Sequence, residues 1–506
     1  MCALKILNVQ QIREADAYTI AHEPIASIQL MERAAAACFY WIRKMAGKEA
    51  GFKVLCGMGN NGGDGLAVAR MLQNDGFDTE VMVIRHSKNV TDDFQINFNL
   101  LADTDGIVIT DIYETDPQIE LSSRDIVIDA ILGSGLNKPV SGFIAQVIHQ
   151  VNKSNALVIS IDMPSGLFAD SCSDPRRQAI VQADYTLTFQ MPKLALLMAE
   201  NEPFIGQWEV LDIGLHPEYL QKEACSHFLT ERRDCSLIYR PRPLFAHKGN
   251  FGHGLLIAGS TGKMGAAVMA AKACLRSGAG LLTAHVPGDG FLIMQSSIHE
   301  AMVSIDPADS CFSALPVLDN YNAIAVGPGL GNDPGTQAAL KLLIQQTTVP
   351  LIIDADALNI LANNKTWISF LPPGSILTPH PGEFERLAGA TENQFDRLEL
   401  LKIMAERYKI YIVLKGAFTA VACPDGNVYF NPTGNPGMAK GGSGDALTGV
   451  LLGLMASGYT PGQSCILGTW LHGYAGDLAA RKFSTESMLT SDLIDMLGKA
   501  FRKISR

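Results

Sequence analysis

The sequence contains no uninterrupted apolar run of about eighteen residues, so no segment is long and apolar enough to cross a bilayer as a helix. It has no Cys-x-x-Cys pair, and none of its ten cysteines stands at zinc-ligand spacing from a histidine, which leaves no motif for a structural zinc site. Most of the cysteines, at 2, 38, 56, 172, 225, 235, 274, 311, 423 and 465, sit beside apolar residues, as in KVLCG around Cys56. They are expected to be reduced core residues of a cytoplasmic protein. Basic residues are outnumbered, 40 to 51, for a net charge of −11; a nucleic-acid binder needs a cationic face, so that partner is excluded. The first twenty residues are interrupted by charges and have no apolar centre, so no signal peptide is expected there. What is present is ordinary globular material, 506 residues with 47% hydrophobic and 18% charged, enough for two or three cores.

Two halves show one rhythm. In the first, helical periodicity covers 8–21 and 25–45. Short apolar runs then predict strands at KVLCG (53–57), EVMVIR (80–85), GIVIT (106–110), DIVIDAIL (125–132), ALVISID (156–162) and YTLTF (185–189), with GQWEVLDIG (206–214) as the last. Helical segments such as 65–75 and 142–151 lie between them, and strands alternating with helices imply a parallel sheet covered on both faces. The stretch 215–236 is polar and poorly periodic, and a boundary is placed near 220–235, giving domains 1–222 and 233–506. Strand patterns restart at 254–260, 280–286, 322–329, 350–358, 374–383 and 410–416, and two helices, 444–457 and 463–481, close the chain. The halves do not repeat each other's motif order, so two different three-layer α/β domains are expected.

In the second half, KGGSGDALTG (440–449) places Gly441, Gly442 and Gly444 before an apolar helix. Bare backbone there lets amides approach an anion at a helix N-terminus, and Asp445 stands where a base could take a proton from an attacking hydroxyl. Gly-Asp before a helix is also an ordinary N-cap. Other strand ends carry VLKGAFT (413–419), VGPGLG (326–331), DADALN (354–359) and TPHPGEFERL (378–387). Each has a plain reading, Asp354 and Asp356 as caps, His380 as a loop histidine and Glu383 as a first-turn acid. Together they line one rim, where open parallel sheets bind ligands.

With these motifs the half from about Arg233 onward resembles the ribokinase-like superfamily and, within it, the ADP-dependent NAD(P)H-hydrate dehydratases. The resemblance implies that Lys415, Gly416, Ala417, Phe418, Thr419 and Gly444 contact the adenine nucleotide. It implies that Ala266, Gly329, His380 and Asp445 contact hydrated NAD(P)H, with ADP as phosphoryl donor, AMP and phosphate as products, and a magnesium ion. One departure is GSTGKMGAA (259–267), with Lys263-Met264 where relatives often carry an aromatic.

In the first half, GMGNNGGDG (57–65) follows a strand and precedes a helix without Rossmann spacing, and Asp64 would repel a phosphate lying against it. IDAILGSGLNKPVSG (128–142) and SIDMPSGL (160–167) end two more strands. Asn61, Asp129 and Ser165 offer oxygen atoms and one formal charge, which suits a weakly held monovalent hard cation; Asn61 and Ser165 are equally ordinary helix caps. These motifs resemble the NAD(P)H-hydrate epimerases over about residues 1–220, a Rossmann-like domain. The resemblance implies that Asn60, Asn61, Gly62, Gly63, Asp64, Gly133, Ser134, Gly135, Leu136, Asn137, Lys138, Pro139 and Asp162 bind the hydrated dinucleotide. Asn61, Asp129 and Ser165 would hold K+, and Asp162 would be the acid/base, with Lys193 as a further candidate or a surface charge. Fusion of the two resembles the prokaryotic arrangement, and relatives assemble into oligomers, so a homo-oligomer acting on small molecules is expected. The alternative is a vitamin or sugar kinase fused to a dinucleotide-binding module.

Overall fold

The computed structural model describes residues 4–47 and 49–505, so Cys2 lies outside the described residues. The chain divides into two compact units, Lys5–Cys225 with Asn393–Phe395, and mainly Ser226–Glu392 with Asp396–Arg506.

In the first unit the β-branched runs form seven strands in the order Val108–Ile112, Asp78–Ile84, Gly51–Cys56, Asp125–Ala130, Leu157–Ile161, Tyr185–Phe189 and Gln207–Leu211. Every neighbouring pair is parallel. The chain builds outward from Gly51–Cys56 in one direction, then returns to its other side with Asp125–Ala130, so the order reverses between these two. A crevice opens beyond the strand ends at such a reversal. Both loops that flank it, 57–59 and 131–137, carry glycines. The helix that follows the first loop starts early, at Asn60, and runs to Asn74. Its glycines serve close packing: a Cβ at Gly62 would lie 1.9 Å from the Gly57 carbonyl oxygen, and one at Gly65 would lie 2.5 Å from the Ala130 side chain. The glycine-rich stretch 57–65 is thus mostly a helix pressed onto its own sheet.

In the second unit the strands are ordered His227–Leu229, Val428–Asn431, Thr419–Ala422, Tyr411–Leu414, Ile376–Leu377, Leu351–Ile353, Ala323–Val326, His253–Ile257, Leu281–Val286 and Met302–Ile305. Parallel pairing runs from Met302–Ile305 through Tyr411–Leu414. Thr419–Ala422 and Val428–Asn431 continue it as an antiparallel hairpin, which apolar periodicity in the sequence did not announce. The stretch that reads as poorly periodic contains His227–Leu229, which pairs parallel with Val428–Phe430. The chain closes with three helices rather than two, Ser443–Ala456, Pro461–Phe483 and Thr490–Ile504.

Ser443–Ala456 is the axis of this unit, buried without interruption from Ala446 to Ala456. It packs on Met264–Arg276 through two glycines four residues apart: a Cβ at Gly449 would lie 2.1 Å from the Ala270 carbonyl oxygen, and one at Gly453 would lie 2.4 Å from that of Cys274. Side chains such as Leu447, Leu451 and Leu454 cover the remaining faces, each contributing about 1.5–3 kcal/mol on burial. Of the nine described cysteines six are buried and three half-buried, so the expectation of core residues holds fully for six.

Candidate active site

Each unit has a cavity at its strand C-termini. In the second unit the helix Ser443–Ala456 begins at Gly442, whose φ of 91° is left-handed. A Cβ there would also lie 2.4 Å from the Met269 side chain, so both backbone and space call for glycine. Behind it Gly444 lies so close to Lys415 that a Cβ would sit 3.2 Å from Nζ. Lys415 in turn follows the strand Tyr411–Leu414 and donates to Asp354 Oδ1 at 2.9 Å, with Glu383 Oε2 at 3.8 Å. Burial works to lower the Lys415 pKa, but the carboxylates of Asp354 and Glu383 outweigh it and raise it. Asp354 is buried and also accepts from Thr448 Oγ1 at 2.7 Å. Burial favours its neutral form, yet the Lys415 ammonium and these hydrogen bonds hold its carboxyl below the usual range.

Asp445 differs. Burial and the neighbouring Asp354 carboxylate raise its pKa to about 6, against the opposing pull of Lys415. A carboxyl in the first turn of a helix, half-buried and titrating near neutrality, is suited to accept a proton from a hydroxyl. His380 caps the helix Pro381–Ala388: its Nδ1 accepts from Gly382 N at 3.1 Å, while Glu383 returns a bond to the His380 amide at 2.8 Å. His380, Lys415, Gly416, Ala417, Thr419 and Gly444 line a single cavity of about 820 Å³. Phe418 and Asp445 are outside its lining, as are Ala266 and Gly329. The last two meet at the sheet's own reversal, between His253–Ile257 and Ala323–Val326. There a Cβ on Gly329 (φ 61°) would lie 3.1 Å from that of Ala266. Lys263, the departure noted above, pairs there with Asp356 at 3.1 Å.

In the first unit, Asn60, Asn61, Asp64, Gly133, Ser134, Gly135, Leu136, Asn137, Asp162 and Lys193 line one cavity of about 460 Å³. Gly62 and Gly63 are buried in the helix, and Lys138 and Pro139 are exposed beyond the cavity's lining. Lys193 is a buried residue, not a surface charge: its Nζ donates to Asp162 Oδ1 at 2.5 Å and to Thr188 Oγ1 at 2.9 Å. Asp162 adopts a left-handed φ of 64° and accepts the Ser134 amide on its other oxygen at 3.2 Å. Burial alone would raise its pKa, but the Lys193 ammonium reverses the shift and lowers it. Asp64 goes the other way, held well above the carboxylate range by burial and then by Asp162 and Asp16.

Of the three candidate oxygen donors for a monovalent cation, Asn61 lines the cavity, while Asp129 and Ser165 lie outside its lining. Asp129 is buried, with Oδ1 at 2.5 Å from Ser165 Oγ and Oδ2 at 2.8 Å from both Ser160 Oγ and Ser165 N. Burial raises its pKa against the Ser165 and Ser160 hydrogen bonds. The Asn61 side-chain nitrogen is buried with no hydrogen-bond partner. Turned end for end, that amide presents an oxygen at the orphaned position, which fits a K+ ligand. Among the described residues no group of three or more His, Cys, Asp or Glu gathers as a metal cluster.

A family profile described as NAD(P)H-hydrate dehydratase matches residues 254–499, and one described as YjeF-related protein N-terminus matches residues 27–195. The chain is 38% identical over 517 residues to the bifunctional NAD(P)H-hydrate repair enzyme Nnr of Moorella thermoacetica, covering 99% of this chain and 97% of that one. The chain belongs to the bifunctional NAD(P)H-hydrate repair enzyme family. A second member, from Thermofilum pendens, is 33% identical over 514 residues, with 99% and 97% covered. A solved ribokinase-like superfamily protein from Enterococcus faecalis matches at 28% identity and a TM-score of 0.50, covering 56% of this chain and 98% of that one. The second unit is therefore ribokinase-like.

Against this family frame, several residues at the sites escaped the motif reading. His472, from Pro461–Phe483, lies under the glycine loop with Nε2 at 2.9 Å from the Ser443 carbonyl oxygen. Burial lowers its pKa to about 4, so it is neutral and donates from Nε2. The glycines at 468, 473 and 476 on that helix were the available signal of close approach: a Cβ at Gly473 would lie 2.5 Å from the Thr433 carbonyl oxygen, and one at Gly476 2.3 Å from the Met438 sulfur. Arg13 and Asp16, from the helix Val9–His22, line the first cavity, and no motif surrounds them.

Proposed function

We propose that this chain repairs hydrated NADH and NADPH, with residues 1–222 interconverting the R and S epimers and residues 233–506 dehydrating the S form with ADP. The observation that carries the reading is Asp445: a carboxyl with a pKa near 6 beside Lys415 and behind a left-handed glycine. Hydroxide is a poor leaving group, and phosphate is a good one. Asp445 takes the proton of the ring hydroxyl as its oxygen attacks the terminal phosphorus of ADP, and the bond to AMP breaks. Lys415 and the amides from Gly416 to Thr419 and at Gly444 hold the phosphoryl oxygens. The ring nitrogen lone pair then expels phosphate, and loss of a proton from the adjacent carbon restores the dihydropyridine. A magnesium ion would be carried on the nucleotide's own phosphate oxygens. His380, Ala266 and Gly329 contact the hydrated dinucleotide.

In the first unit Asn61, Asp129 and Ser165 would hold K+, which supplies a positive charge against the buried Asp129 carboxylate. Asn60, Asn61, Asp64 and Gly133 to Asn137 border the substrate, and Asp162, paired to Lys193, acts as acid/base at the hydroxyl-bearing carbon. A stereospecific dehydratase would strand half of a racemic hydrate; the fused epimerase converts that half. No helix among the described residues is long and apolar enough to cross a membrane, and the proposed setting is the cytoplasm, as a homo-oligomer. The test is racemic hydrated NADH with ADP or ATP. Full recovery of NADH with AMP and phosphate is expected from ADP. A lasting phosphate ester, the product of a vitamin or sugar kinase, would defeat the reading.

A further inference from the structure

The helix Val9–His22 is started by a capping box, with Asn8 Oδ1 accepting from Gln11 N at 2.8 Å and Gln11 Oε1 accepting from Asn8 N at 3.1 Å. It turns Val9, Ile12, Arg13 and Asp16 toward the cavity of the first unit, one face at helical spacing. This helix precedes the segment that the family profile matches, which begins at residue 27. Among the described residues the Asp16 carboxyl has neither an ion pair nor a hydrogen bond. Asp162, by contrast, has both oxygens engaged, one by Lys193 and one by the Ser134 amide.

Those two environments divide the chemistry of epimerisation. Expelling the ring hydroxyl as water needs a proton donor. Adding water back to the resulting cation produces a strongly acidic protonated hydroxyl, for which a weak base suffices. Asp162, tied to an ammonium, is a weak base and a poor donor. On the reading of this cavity as the epimerase site, we propose that Asp16 is a second catalytic residue, the acid that protonates the departing hydroxyl. Its proton goes to the hydroxyl oxygen, the carbon–oxygen bond breaks, and the ring nitrogen lone pair forms the carbon–nitrogen double bond as water leaves. Water then adds to the opposite face and gives its extra proton to Asp162. Exchange with solvent returns that proton and reprotonates Asp16.

The charged and titratable groups around Asp16 are Arg13 on its own helix, and Asp64, His86, Asp162 and Lys193 from the sheet side. Burial raises the Asp16 pKa to about 6, Lys193 opposes this and Asp162 reinforces it, so the donor form is lost as pH rises through that value. The experiment uses the full chain with purified R-hydrated NADPH and no ADP, following appearance of the S form. A parallel assay follows consumption of S-hydrated NADPH with ADP.

Asp16→Asn is expected to lose about 10²–10⁴-fold in R-to-S kcat with little change in KM. The decline of wild-type kcat above about pH 6 should vanish, and Asp16→Glu should recover part of the rate. Consumption of the S form should be unchanged. An Asp16→Asn chain that epimerises at the wild-type rate overturns the proposal. So does a loss that Asp16→Glu shares in full together with faster amide exchange in Leu157–Ile161, which would mark a purely structural role. A wild-type chain that consumes the S form but never converts the R form defeats the reading of the site itself, and the inference with it.

Discussion

Replacing Lys193 with Met tests the electrostatics of the first unit most directly. Lys193 is 1% exposed and Asp162 8%, so their 2.5 Å contact is screened by protein rather than water. Removing the ammonium leaves a carboxylate buried without a counter-charge, which costs about 3–5 kcal/mol. The carboxyl can escape part of this by taking a proton. Burial, the largest influence on Asp162, already acts to raise its pKa and is now offset only by the Ser134 hydrogen bond. In the wild type the lowered pKa gives stability present above the unfolded value and lost as pH falls through the folded one. In Lys193→Met the shift is reversed, so the destabilisation is greatest at high pH and shrinks as Asp162 protonates. At about 1.4 kcal/mol per pH unit, the gap between variant and wild type should narrow by up to about 2.7 kcal/mol between pH 8 and pH 6. The assay is native-state amide exchange by mass spectrometry, reading the opening free energy of Leu157–Ile161 in the full chain. Adding Asp162→Asn should recover much of the loss, since both charges are then gone. A loss under about 1 kcal/mol, the size of a solvent-exposed pair, equal at both pH values, would refute the reasoning.

Asp445→Asn should bind ADP normally by calorimetry and lose about 10²–10⁴-fold in dehydration. Wild-type dehydration should fall as pH drops below about 6, where Asp445 gains its proton. Gly442→Ala forces a side chain into left-handed backbone against Met269, and should cost at least about 1–2 kcal/mol in denaturant unfolding. Replacing K+ by a large organic cation should slow epimerisation and leave S-form dehydration unaffected; Asp129→Asn should remove that dependence, as read by the two separate assays.

The parallel strands were readable because they are buried on both faces, so Val, Ile and Leu run nearly without a break, as in DIVIDA at 125–130. Their C-terminal loops were readable because glycine and aspartate interrupt those runs. The hairpin strands Thr419–Ala422 and Val428–Asn431 are short and mix polar with apolar residues, so pairing rather than periodicity defines them. The last helix, Thr490–Ile504, buries Leu493, Ile494, Leu497, Ala500 and Ile504 on one stripe, so its helical period was present in the sequence although only two closing helices were expected. At the sites, motif reading found residues on loops after strands. It missed Asp16, Arg13 and His472 because each stands on a helix whose contribution is set by which face tertiary packing turns inward. Lys193 was read as a further acid/base candidate or a surface charge; its burial, which excludes the second reading, is a property of the fold.

The strand His227–Leu229 has a practical consequence for anyone who separates the halves. It satisfies the outer amides and carbonyls of Val428–Phe430, and the Ser226 carbonyl already accepts from Val428 N at 2.7 Å. A fragment begun at Arg233 would bare that ladder and offer it to the next molecule, a template for aggregation. A fragment begun a few residues ahead of Ser226 keeps the Val428–Phe430 ladder paired.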